Sequence, residues 1–151
     1  MKRSTIVEIV ATLFMTLFLY TGISKLIDYT VFKEQIAESP LLAGIAPYTA
    51  ILMPLVEFAI VILLIVPKWR LNGLFASLTL MIIFTGYIVA ILQFNEHIPC
   101  SCGGIIALMS WKQHIVFNSL FIVLGGIGIV LERGLKGRGE LSKSKKMEPG
   151  I

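Results

Sequence analysis

The chain has 151 residues, of which 56% are hydrophobic and only 15% charged, with a mean hydropathy of +0.87. So apolar a composition excludes an ordinary water-soluble domain. The net charge of +4 does not point to nucleic acid either, because the basic residues are spread as a membrane topology signal.

In a helix, about 20 consecutive apolar residues cross a bilayer core. Four such runs are present, at 6–27, 47–66, 72–94 and 111–131. Backbone groups in lipid must satisfy one another, so these runs are helices. They predict an all-α, integral membrane four-helix bundle over 1–131, with no room for a separate soluble domain. Residues 132–151 are basic and lack apolar periodicity, which predicts a disordered, solvated tail.

Lys2 and Arg3 precede the first span, Lys68 and Arg70 separate the second from the third, and six more basic residues follow the fourth. Ten of the thirteen Lys and Arg therefore fall on one side. Basic residues stay cytoplasmic, so both termini and the 67–71 turn are expected inside. The segment between the third and fourth spans then faces outward, in a bacterium the periplasm, from a multi-pass protein of the inner membrane.

In chain order, Thr5 and Glu8 have the spacing of a capping box, which predicts a helix start there. Gly22 and Ser24 are small enough for a neighbouring helix to approach closely. Lys25 and Asp28 share a helical face and are expected to pair, with Lys25 snorkelling to the outer interface. Phe32 and Ile36, four apart, predict a short surface helix over 31–38 on the periplasmic side, ended by Ser39-Pro40. The second span opens at Pro47.

Glu57 lies about ten residues from either end of that span, too deep for a cap. An acid at this depth is expensive and marks function or interhelical hydrogen bonding. The sequence shows no partner for it. In the fourth span, Ser110 and Gln113 repeat the capping-box spacing, Trp111 suits the interfacial belt, and His114 reads as an interface residue. Asn118 reads as an isolated amide holding helices together, and Gly125-Gly126-Ile127-Gly128 as a close-packing face. Residues 105–109 are apolar but too few to cross.

The only two cysteines, Cys100 and Cys102, stand one residue apart in the outward segment Pro99-Cys100-Ser101-Cys102-Gly103-Gly104. A disulfide across one residue closes so small a ring that it gains little loop entropy. Its geometry demands a bent, strained backbone, and strained, exposed disulfides are the labile ones. Thiol–disulfide exchange therefore explains the pair better than architecture does. His97 is a candidate for lowering a thiol's pKa or relaying a proton, and Glu57 for storing one. Two alternatives stand beside exchange. The thiols could bind a soft ion such as Cu(I), with His97 and His114 completing the set, or they could be structural.

The order of these features resembles the MauE/DoxX group of small bacterial membrane proteins. The resemblance rests on Tyr20-Thr21-Gly22-Ile23-Ser24-Lys25-Leu26 with Phe32 downstream, Pro54-Leu55-Val56-Glu57, Cys100-Ser101-Cys102, and Trp111 with Asn118. It covers the chain to about residue 132. Many relatives carry Phe-Gly after the second cysteine, where this chain has Gly103-Gly104. The resemblance implies four helices, periplasmic thiol–disulfide chemistry and a thioredoxin-like partner. Its DoxX branch suggests a structural subunit of a membrane complex as a third reading. No cofactor motif is legible; a quinone between helices is one candidate for the electron source or sink.

Overall fold

A computed structural model of the chain describes residues 2–39, 42–94 and 110–147. The described residues form five helices and no strand: α1 (Arg3–Ile27), α2 (Tyr29–Ala37), α3 (Ala46–Ile65), α4 (Arg70–Phe94) and α5 (Trp111–Met147), with a short 3-10 turn at Ala43–Ile45 before α3. All but α2 are long and apolar enough to cross a membrane. Only about a third of each apolar window is buried within the chain. The remaining apolar surface, such as Ile62 and Val130 at 57% and 70% exposure, is what lipid would cover, so burial rather than hydrophobicity marks the inside.

Side-chain contacts fix the course of the bundle. Gly22 of α1 faces Glu57 and Phe58 of α3, Gly125 of α5 faces Phe14, and Gly128 faces Val10 and Leu74. Neighbours in sequence thus run antiparallel, up-down-up-down. The interior is built from Val7, Val10, Phe14 and Phe18 of α1, Leu64 of α3, Leu74 of α4 and Phe121 of α5. Phe14 stacks on Phe18 at 5.9 Å and meets Phe121 edge-on at 5.3 Å. In lipid no hydrophobic force drives helices together, so such contacts depend on close approach. Gly73 provides the tightest, since a Cβ there would fall 2.9 Å from the backbone nitrogen of Leu64.

Hydroxyls within the spans are turned back on their own helices. Thr12, Thr16, Thr21, Ser77, Thr85 and Ser119 each donate to the carbonyl four residues earlier, at 2.8–3.0 Å. That satisfies them without an interhelical partner. α3 runs unbroken through Pro54, and Pro47 lies in its first turn as expected.

The short helix foreseen over 31–38 is present as α2. It buries Phe32 and Ile36 against Ala46 and Ala50 at the start of α3, and the Tyr87 hydroxyl of α4 donates to Ser39 just beyond it at 2.8 Å. Two expectations fail at helix ends. α1 begins at Arg3 with Lys2 as its N-cap and no side-chain cap bond, so Thr5 and Glu8 form no capping box. At the other end of the chain, α5 continues to Met147 instead of stopping at residue 131 and giving way to a disordered tail. Leu131 and Leu135 pack on the core, Glu132 is buried, Arg133 lies 4.9 Å from the Phe75 ring, and Lys136 Nζ donates to the Lys68 carbonyl at 3.1 Å. The support comes from the core, from α4 and from the α3–α4 turn together.

Candidate functional site: a buried ion pair and its cavity

Glu57 comes within the bundle because α1 opposes it with Gly22, where a Cβ would lie only 3.2 Å from Glu57 Oε2. Lys25 is one turn further along α1. Helical side chains lean toward the helix N-terminus, so Lys25 reaches back, and its Nζ donates to Glu57 Oε1 at 2.6 Å. The two residues are 3% and 1% exposed. This corrects two expectations. Lys25 neither snorkels outward nor pairs with Asp28, which caps the end of α1, and Glu57 does have a partner. The ammonium also lies 5.7 Å from the Phe32 ring centroid and 5.8 Å from that of Phe84, so aromatic faces replace part of its lost hydration.

Glu57 Oε2 is buried and takes no hydrogen bond among the described residues. The Thr21 hydroxyl stands nearby but directs its proton to the Leu17 carbonyl at 3.0 Å. Beside the carboxylate is a cavity of about 40 Å³, whose polar lining is Thr21, Lys25, Glu57, His114 and Asn118. One water needs about 10–15 Å³ of such space and two to four polar partners, so the cavity suits water.

The start of α5 sets its share of the lining. Here the capping box predicted at Ser110 and Gln113 is real: Ser110 N–H donates to Gln113 Oε1 at 2.9 Å, and Gln113 N–H to Ser110 Oγ at 3.4 Å. With the helix fixed there, His114 and Asn118, four apart on one face, turn inward at 4% and 3% exposure. His114 is therefore inside the bundle instead of at an interface. Its spacing from Asn118 was the sequence signal for a shared polar stripe.

Cys100, Cys102 and His97 lie outside the described residues, as does the apolar piece at 105–109. Their segment joins the last residue of α4 to the first turn of α5, and so begins and ends at the bundle end nearer the cavity. Among the described residues no three His, Cys, Asp or Glu side chains gather as a metal site; His114, a member of the alternative copper set, shares its cavity with Lys25.

A family model described as methylamine utilisation protein MauE matches residues 3–131. The chain belongs to the MauE family. The match spans α1 to α4 and α5 as far as residue 131, and it takes in Lys25, Glu57, Cys100, Cys102, His114 and Asn118. No curated protein and no solved structure matches the chain. In this MauE protein, then, a multi-helix membrane bundle encloses, among the described residues, one opposite-charge pair beside a small, mainly apolar cavity into which a few polar side chains project.

Proposed function

We propose that this protein is a membrane component of thiol–disulfide exchange on the outer face of the bacterial inner membrane, with Cys100 and Cys102 as the reacting pair and a thioredoxin-like protein as partner. The observation that carries the reading is the separation of the bundle's two ends. Arg3, Lys68, Arg133 and Lys136 converge at one end, the end that stays cytoplasmic by the positive-inside rule. The cysteine segment connects helices at the opposite end, in a compartment where disulfides persist. Membership of the MauE family supports the same assignment.

In the exchange, a thiolate of the partner attacks Cys100 Sγ. The Cys100–Cys102 bond breaks as the mixed disulfide forms, and Cys102 leaves as a thiolate. The partner's second thiolate then attacks its own sulfur in the mixed disulfide and releases Cys100. Two electrons and two protons pass from the partner's dithiol to the pair, so the step balances without a further oxidant, and it runs in either direction. His97 is placed in sequence to favour the thiolate. Gly103 and Gly104 leave a partner backbone free to approach.

Labelling with a membrane-impermeant maleimide in intact cells tests this. Labelling at Cys100 and Cys102 that requires prior reduction, and no permeabilisation, is expected. Labelling indifferent to reductant removes the disulfide. Stoichiometric copper lost from a Cys100→Ser, Cys102→Ser variant would replace exchange with metal binding.

A further inference from the structure

We propose that the cavity enclosed by α1, α3, α4 and α5 is a proton-binding site, in which Glu57 takes up a proton through enclosed water, linked to the redox state of Cys100 and Cys102. The linkage rests on the exchange reading above; the proton site does not.

A buried ion pair is rarely needed for stability, since apolar residues of similar volume serve as well or better. An acid held inside a membrane span needs another reason. Glu57 offers one oxygen to Lys25 and keeps the other unbonded among the described residues despite nearly complete burial. That oxygen loses its hydration unless water replaces it, and the adjoining cavity has room for water and further polar groups in Asn118, Thr21 and His114. The charged or titratable groups lining it are Lys25 from α1, Glu57 from α3 and His114 from α5. α4 contributes Met81 and Phe84 to the lining, and α2 sets Phe32 beside Lys25. A proton arriving there meets two bases, the Glu57 carboxylate and the His114 imidazole, and when Glu57 takes it the aromatic rings remain to hold the released ammonium.

Position supplies the link. The Ser110–Gln113 capping box ties the end of the cysteine segment to the turn that carries His114. When the Cys100–Cys102 disulfide is reduced, the departing thiolate needs a proton and the partner's attacking thiol gives one up. Glu57, ionised in its pair with Lys25, takes up the proton that the attacking thiol gives up and holds it in the reduced state, and the departing thiolate draws its proton from solvent.

Infrared difference spectroscopy on the full-length protein in lipid bilayers tests this at the carboxyl. Acidification is expected to raise a protonated-carboxyl band that is absent from Glu57→Gln. The Lys25→Met, Glu57→Gln double variant, which leaves no lone buried charge, should lack it too. A band unchanged in both variants, or no band in the wild type, overturns the proton site. Reduction should alter the same band in the wild type and not in Cys100→Ser, Cys102→Ser; a band blind to reduction overturns the linkage. Failure of exchange itself is read separately, as reductant-independent maleimide labelling, and leaves the acidification result to decide the proton site.

Discussion

Lys25 and Glu57, on α1 and α3, meet at 2.6 Å with scarcely any surface exposed. Because each is the other's compensation, losing one is worse than losing both. Lys25→Met or Glu57→Gln alone should destabilise the bundle by about 3–5 kcal/mol, the usual cost of stranding a buried charge. The Lys25→Met, Glu57→Leu double variant should recover most of that. Thermal unfolding in detergent measures it; a double variant as unstable as the sum of the singles contradicts the pairing.

Gly22 on α1 and Gly86 on α4 are not equivalent. A Cβ at Gly22 would meet Glu57 Oε2 and the Phe58 ring, each at 3.2 Å, whereas Gly86 has open space around it. Gly22→Ala should cost about 1–3 kcal/mol by overpacking and weaken the Lys25–Glu57 contact. Gly86→Ala should be neutral or stabilising by up to about 1 kcal/mol, from helix propensity alone. Equal effects at the two positions would mean that α1 and α3 are not in this register.

Much of the architecture could be read from local sequence. The four spans follow from uninterrupted apolar length, and α2 from Phe32 and Ile36 on one face. What escaped depends on which helices touch, and at what height. Lys25 has a local candidate in Asp28, and only the α1–α3 register, held by Gly22 against Phe58, brings Glu57 nearer. The capping box gives where α5 begins but not which of its faces meets the bundle, and that face carries His114 and Asn118 inward. The same motif failed at Thr5 because α1 had already started at Arg3. The helix beyond residue 131 was illegible since its anchor, the Lys68 carbonyl, is remote in sequence. Cys100 and Cys102 lie outside the described residues, so their chemistry rests on their spacing, the charge asymmetry of the chain and the family match.

α2 depends on a small apolar contact. Phe32 is 5% exposed and packs with Ile36 on Ala46 and Ala50. Phe32→Ala should cost about 3 kcal/mol locally and raise amide exchange across 29–37, with little change in the buried part of α1. Unchanged protection in α2 would show that Tyr87 and Ser39 suffice to hold it.

The two ends of the bundle should differ in access. Trp69, in the α3–α4 turn, is 46% exposed. In a background lacking both native cysteines, Trp69→Cys should label with an impermeant maleimide only after permeabilisation. Labelling in intact cells would invert the topology.

The most direct measurement of the central claim is covalent trapping. Exchange runs in either direction, so with the resolving cysteine replaced the remaining thiolate attacks the partner's disulfide and stays joined to it. The account predicts that Cys102→Ser accumulates a reductant-sensitive adduct with a periplasmic thioredoxin-like protein, and that Cys100→Ser accumulates less. With that partner present, the absence of an adduct in both variants would contradict thiol–disulfide exchange.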